Sequence, residues 1–301
     1  KSRYVPISRL SRSDTKVTPI GKSRMRSLEL ERLPPDCTAN DIVEVAEKDG
    51  GVIVEGWLSP PLLLQFNAEI EPWLAQHKGT NSGSDASDDF LGKKTRRIQG
   101  LTVKAPTFVD IMIDNRIVGF AETVLAPVGP SIILNNGEVI DIRPGESAQP
   151  MHRDDDAWNF ANVTNPLMIN TIAPLVDITP AMGATLVAPG SHRWERDRVP
   201  AKNEIVACDL PAGSALFFRG DTLHAGGANK STKHRRALST GICCGWLRPV
   251  ENSYTNTPIE VVRILPLRAQ ELLGYALYDA SEVGGGYLGY HDMSDPKKLL
   301  T

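Results

Sequence analysis

The chain has 301 residues, 41% of them hydrophobic, which is enough for one large domain or two small ones with a substantial core. Lys and Arg number 33 against 36 Asp and Glu, a formal charge of −3 with no long basic block, which argues against nucleic acid or an anionic membrane surface as partner. No apolar run approaches the ~18 residues of a membrane span and no signal peptide is evident. The four cysteines at 37, 208, 243 and 244 lack zinc-ribbon or Cys-x-x-Cys spacing, so buried thiols in a reducing, cytoplasmic setting are expected, with a small molecule as ligand.

Residues 1–34 are rich in Arg, Lys, Ser and Pro and read as a surface-lying or partly disordered arm, ahead of a single domain over 35–301. Thr38 is a cap residue before helical apolar spacing over 41–47, and residues 50–56 read as a short strand. A second amphipathic helix is expected over 59–74, opening at Pro60 and Pro61. The polar stretch 75–94 cannot pack a core and should be a mobile loop, either a lid or an inert surface loop. Apolar positions over 106–125 suit a helix against a sheet. From Ser131 the texture changes to short β-branched and aromatic runs broken by turns: 132–134, 138–142, 167–172, 184–187, 214–218 and 236–246. Many short strands with Gly and Pro punctuation indicate a sandwich or barrel, and 261–273 reads as a further helix.

His152 and Asp154 stand two positions apart, so in an extended segment both side chains reach one ion while Arg153 points away. A third ligand from a distant strand, His224, would complete two imidazoles and one carboxylate. That set suits iron(II) and leaves coordination positions open for co-substrate and oxygen, and it lacks the thiolates that favour other metals. By residue type alone, zinc poised to polarise water for hydrolysis is also compatible, and an isolated His-x-Asp triplet is common by chance. Adjacent Arg235 and Arg236 would point to opposite sides of a strand, one into a site and one to solvent. Asn170 lies in the middle of an apolar run, where an unpaired amide would be costly; a co-substrate contact or a buried bridging role would each explain it. Ile98, Trp158 and Phe160 are candidates for an apolar pocket wall, or for plain core.

The triplet is preceded by Gln149 and Pro150. After it come Gly183-Ala184-Thr185, Pro189-Gly190-Ser191-His192, Pro211-Ala212-Gly213-Ser214, the run from Gly220 to Gly227 around His224, and Arg235. In this order and spacing the motifs resemble the phytanoyl-CoA dioxygenase-like family of Fe(II)/2-oxoglutarate oxygenases, particularly its fungal natural-product members. The resemblance spans residues 40–275 and is strongest over 145–250. It implies a mainly β fold with flanking helices: a double-stranded β-helix, that is, a cupin-like jelly roll, over approximately 130–250, with N-terminal helices packed on it. It further implies iron(II) held by His152, Asp154 and His224, and Arg235 on the distal carboxylate of 2-oxoglutarate. Gln149 and Thr185 would be further polar contacts to that co-substrate, joined by Asn170 if it is not a buried bridge, with O2 as second co-substrate and His192 structural. The implied reaction oxidises a C–H bond of a hydrophobic small molecule, a terpenoid or alkaloid of secondary metabolism, while 2-oxoglutarate becomes succinate and CO2. The resembling fungal enzymes are often homodimers, so a second copy of the chain is an expected partner. A metal-dependent hydrolase or isomerase on a cupin-like fold, and a catalytically silent binding module, are the rival readings.

Overall fold

The computed structural model describes residues 28–77, 79, 82–158 and 164–301. Helix α1 (Ala39–Asp49) begins at a reciprocal cap: the Thr38 hydroxyl accepts from the Asp41 amide at 3.3 Å, and the Asp41 carboxylate accepts from the Thr38 amide at 2.8 Å. It stops at Gly50, whose φ of 81° is the left-handed conformation that ends helices. Helix α2 (Pro60–Gln76) opens at its two prolines and buries Phe66, Ile70 and Leu74. The stretch 75–94, expected to be a loop, contains helix α3 (Asp85–Leu91), which buries none of its own residues. Helices α4 (Leu101–Lys104), α5 (Thr107–Met112) and α6 (Asn115–Leu125) follow. The single helix expected over 106–125 is therefore two, because Asp114 accepts from the Arg116 amide at 2.9 Å and caps a new start. Beyond the sheets lie α7 (Ser253–Asn256), α8 (Ile259–Val262) and α9 (Leu267–Leu272), and Pro266 divides the helix expected over 261–273.

Ten strands build the two main sheets: β1 (Arg32–Leu33), β2 (Gly51–Val54), β3 (Thr95–Ile98), β4 (Ile132–Ile142), β5 (Met168–Pro174), β6 (Thr185–Val187), β7 (Val206–Cys208), β8 (Ala215–Arg219), β9 (His224–Gly226) and β10 (Arg235–Cys244); β11 (Tyr278–Asp279) and β12 (Tyr287–Leu288) pair with each other apart from them. Seven form a major sheet in the order β1-β2-β8-β5-β10-β4-β3, and three a minor sheet, β7-β6-β9. This two-sheet arrangement is the expected jelly roll, with the helices on the outer face of the major sheet. Strand β8 shows how alternation builds both layers: Ala215 and Phe217 join the core under the helices, while Leu216 and Phe218 join the core between the sheets. All four cysteines are buried free thiols.

The structure departs from the sequence expectation in several strand assignments: β1, β3, β7 and β9 lie outside every expected run. Residues 132–134 and 138–142 are one strand, β4, carrying a bulge: Gly241 pairs with Asn136 and Ile242 with Leu134, leaving Asn135 as the extra residue. The arm expected over 1–34 lies outside the described residues up to position 27. Within its remainder Leu30 is buried and β1 pairs in parallel with β2. Among the described residues no helix is long and apolar enough to cross a membrane.

Candidate active site

His152 and His224 face each other across an antiparallel bridge that extends the minor sheet. Each amide donates to the other's carbonyl, at 2.9 and 3.0 Å, so the two imidazoles leave the backbone side by side, ring centroids 4.4 Å apart. Asp154 does not continue an extended segment, as its spacing from His152 suggested; it opens a 3-10 turn, Asp154–Trp158, that swings its carboxylate back to the pair. Asp154 Oδ1 lies 3.6 Å from His152 Nε2 and 3.5 Å from His224 Nε2. One ligand atom from each of the three falls within 4.8 Å of the others, a spacing that fits a single ion.

The surroundings fix which atoms face that ion. His152 Nδ1 is 3.0 Å from the Pro150 carbonyl and His224 Nδ1 is 3.0 Å from the Thr222 carbonyl. A carbonyl only accepts, so each Nδ1 carries the proton and each Nε2 presents its lone pair inward. Asn170 Nδ2 donates to Asp154 Oδ2 at 3.0 Å, leaving Oδ1 for the ion, and the Ser239 hydroxyl in turn donates to Asn170 Oδ1 at 3.0 Å. Of the two roles expected for Asn170, a co-substrate contact or a buried bridge, these bonds form the bridge, which holds the metal-facing carboxylate. Burial alone would raise the Asp154 pKa, but His224 and His152 hold it far below the usual carboxylate range. His224 is pushed up: Asp154 outweighs the burial that would lower it.

Arg153 points away from the triad, as expected, and is buried. Its guanidinium donates to the carbonyls of Asp221, Arg196 and Ser191 at 2.9, 3.0 and 3.2 Å, tying the triad's first loop to the segment that delivers His224.

A cavity of about 480 Å³ opens from the triad across the inner face of the major sheet. At one end Arg235 is only 5% exposed. Its Nη2 donates to the Thr185 hydroxyl at 2.8 Å, its Nε has no partner, and no carboxylate pairs with it among the described residues. Burial, and secondarily Arg97, lower its pKa to about 10. Arg236, on the other side of β10, is ion-paired to Glu71 at 2.9 Å and to the buried Asp141 at 3.5 Å, so that side is half-buried and satisfied by carboxylates. Gln149 lines the cavity, yet its amide is engaged by backbone: Oε1 accepts from the Gly226 amide at 2.9 Å and Nε2 donates to the Phe90 carbonyl at 3.1 Å.

The expected apolar wall is corrected at two positions. Ile98 is buried in the core beneath the helices, and its neighbours Arg97 and Gln99 face the cavity. The expectation was one residue out of phase with the strand, which inverts the face. Trp158 packs on that same core, with its indole N–H on the Arg248 carbonyl at 2.9 Å, and does not line the cavity. Phe160 lies outside the described residues. Sequence reasoning missed Phe90 on α3, whose ring meets His152 edge-on at 4.9 Å, and the polar wall of Asn135, Asn136 and Glu138. Asn136 and Glu138, at two-residue intervals from Ile140 and Ile142 along β4 and so on the same face, were the available signal.

Two neutral imidazoles, one carboxylate and open space suit an octahedral iron(II), and a buried guanidinium without a counter-ion suits the far carboxylate of a dicarboxylic acid. Fold and site thus define a non-haem iron, 2-oxoglutarate-dependent dioxygenase. Comparisons with known proteins agree. The family model for phytanoyl-CoA dioxygenase matches residues 46–237, a span holding the triad and Arg235. Dioxygenase FrzG from Cladobotryum sp is 31% identical over 268 residues, 82% of this chain and 88% of that protein. The multifunctional dioxygenase prhA from Penicillium brasilianum is 29% identical, over 82% of this chain and 86% of that one. Among solved structures, the epimerase SnoN in complex with Fe3+, alpha ketoglutarate and nogalamycin RO has a TM-score of 0.55 at 21% identity, covering 69% of this chain and 84% of that one. The carbocyclase SnoK from nogalamycin biosynthesis has a TM-score of 0.56 at 18% identity, covering 73% and 92%. This chain belongs to the phytanoyl-CoA dioxygenase family.

Proposed function

We propose that the enzyme oxidises a C–H bond of a small organic molecule of secondary metabolism, with His152, Asp154 and His224 as iron ligands and Arg235 and Thr185 as the seat of the 2-oxoglutarate tail. The observation that carries this reading is the buried, carboxylate-free Arg235 at the far end of the cavity that the triad opens into. A hydrolase would have no use for such a group, and leaving it unpaired is costly unless a ligand completes it.

Iron(II) with 2-oxoglutarate bound supplies oxidative decarboxylation of the keto acid to succinate and CO2 and, with O2, the oxidising power to attack a C–H bond. The chain's share is positioning. His152 and His224 offer Nε2 because backbone carbonyls hold their Nδ1 protons, and Asp154 offers Oδ1 because Asn170 takes Oδ2. Arg235 and Thr185 orient the dicarboxylate, and Ile140, Ile142 and Ile172 give its methylene portion a dry wall. Phe90, set over His152 and tied down through Gln149, keeps bulk water from that side of the triad. The biosynthetic setting is supported by the resemblance to fungal dioxygenases and to SnoN and SnoK.

Succinate release provides the test. The iron-loaded protein should turn 2-oxoglutarate into succinate only when O2 is present, faster with a true substrate in a metabolite panel. A panel product formed by addition of water, without succinate, would replace this reading with hydrolysis.

A further inference from the structure

The cavity has two unlike halves. Along β10, Arg235 pairs with Ile142 of β4, and Ser239, four residues on and thus roughly 13 Å away, pairs with Glu138. The Arg235 half is walled by isoleucines; Arg97, opposite Ile140, stands at the boundary and reaches to Glu138, and the other half presents Gln99, Asn135, Asn136 and Glu138. Two devices put so many polar groups there. Arg97 and Gln99 flank Ile98 on β3 and its exit, so alternation turns both inward. The β4 bulge at Asn135 lets that residue and adjacent Asn136 both line the cavity, which a regular strand forbids.

Several of these groups retain unused hydrogen-bonding capacity. Arg97 Nη1 donates to Glu138 Oε2 at 2.7 Å and Arg97 Nε to the Leu91 carbonyl at 3.0 Å, but Arg97 Nη2 and Glu138 Oε1 have no partner among the described residues. The Gln99 carboxamide likewise has none there, although it faces the cavity. Asn136 Nδ2 has only a long 3.4 Å contact to the Ser239 hydroxyl. A purely hydrocarbon surface placed against this wall would desolvate donors and acceptors without replacing them.

Charge narrows the choice. Iron(II), Asp154, the 2-oxoglutarate dianion and Arg235 cancel, and the ionised side chains lining the other half are paired, Arg97 with Glu138 and Asp156 with Arg196. The Arg153 guanidinium is turned onto loop carbonyls. A loaded site of this kind gives no net pull on a cation or an anion. It offers donor and acceptor side by side, from the Arg97–Glu138 pair and from the Gln99 carboxamide, next to the apolar Phe90, Leu91 and Val250.

Building on the dioxygenase reading, we infer that the substrate is a neutral molecule with an apolar skeleton and an amide or lactam group, and that this group is bound by Gln99 and the Arg97–Glu138 pair. The N–H of such a group matches Glu138 Oε1 or the Gln99 carbonyl oxygen, and its C=O matches Arg97 Nη2 or the Gln99 amide nitrogen.

Calorimetry on the full chain, loaded with iron(II) and 2-oxoglutarate under nitrogen, tests this with three ring systems of one shape: isoindolin-1-one (lactam), phthalide (lactone) and isoindoline (a cation at neutral pH). The lactam should bind about tenfold more tightly than either of the others, the worth of roughly one added hydrogen bond. Gln99→Leu should erase that preference with 2-oxoglutarate affinity unchanged, and Arg97→Leu combined with Glu138→Leu should erase it too. Equal or weaker binding of the lactam, no detectable lactam binding, or a preference that survives Gln99→Leu would overturn the inference. Failure of the dioxygenase reading itself shows earlier and separately, as absence of 2-oxoglutarate binding in the loading step.

Discussion

The Arg235 guanidinium meets the Thr185 hydroxyl at 2.8 Å, and among the described residues no carboxylate meets Arg235. A hydroxyl is a weak partner for a buried cation, so the metal-free, ligand-free protein carries an electrostatic penalty at this point. Replacing Arg235 by Met should therefore raise the melting temperature of the ligand-free protein, or at least not lower it. The same change should raise the KM for 2-oxoglutarate roughly 10–100-fold, the worth of a charge-assisted hydrogen-bonded pair. Scanning calorimetry with and without 2-oxoglutarate reads both; a variant still stabilised by the keto acid as strongly as wild type would reject the assignment.

Asn170→Ala removes the hydrogen bond that holds Asp154 Oδ2, without touching any of the three metal-facing atoms. Metal affinity should fall roughly 10–100-fold, as is typical when a partner of a ligand is lost, and Asn170→Gln should not restore it because the longer side chain cannot keep the 3.0 Å contact. Competition with a fluorescent chelator measures this; unchanged affinity would mean that Asp154 is held by its turn alone.

Gly226 lies where a side chain would enter the dicarboxylate seat. A Cβ there would stand 2.9 Å from Gln149 Oε1 and 3.5 Å from Arg235 Nη1. Gly226→Val should raise the 2-oxoglutarate KM at least several-fold with little change in metal affinity, and steady-state kinetics beside a metal titration separate the two. A fall in metal affinity with an unaltered KM would contradict the placement.

His192 supplies a pH prediction away from the triad. Its Nε2 donates to the Glu47 carbonyl at 3.1 Å, and its buried Nδ1 has no partner among the described residues. Burial, and then Arg219, lower its pKa below the usual 6.5. The unfolded chain therefore takes up a proton before the folded one does, so stability falls as pH drops below about 6.5. His192→Gln keeps a donor for Glu47 and cannot be protonated. Urea midpoints at pH 7.5 and 5.5 should differ less for the variant than for wild type; equal differences would exclude His192 as a source of acid lability.

That His152, Asp154 and His224 come together was legible because metal-ligand chemistry restricts residue types, and the turn of Arg235 away from Arg236 was legible because adjacent residues of a strand face opposite sides. The route by which Asp154 reaches the histidines was not: an extended His-x-Asp pair and a His followed by a 3-10 turn look alike in sequence. The role of Asn170 was half visible, since a polar residue amid Met168, Ile169 and Ile172 demands a partner but does not name it. Ile98 shows the cost of a phase error on a four-residue strand, where one step exchanges core for cavity. The bulge at Asn135 depends on pairing with β10, a strand about a hundred residues away, and left no local mark. Helix breaks at Asp114 and Pro266 were written in the sequence as a cap residue and a proline within apolar periodicity.

The most direct measurement is a crystal structure of the protein grown with manganese(II), a redox-inert stand-in for iron, and 2-oxoglutarate. The account predicts one anomalous peak coordinated by His152 Nε2, His224 Nε2 and Asp154 Oδ1, with the keto acid on the metal and its far carboxylate paired to Arg235 and Thr185. A metal bound elsewhere, or a keto acid whose tail leaves Arg235 unpaired, would contradict it.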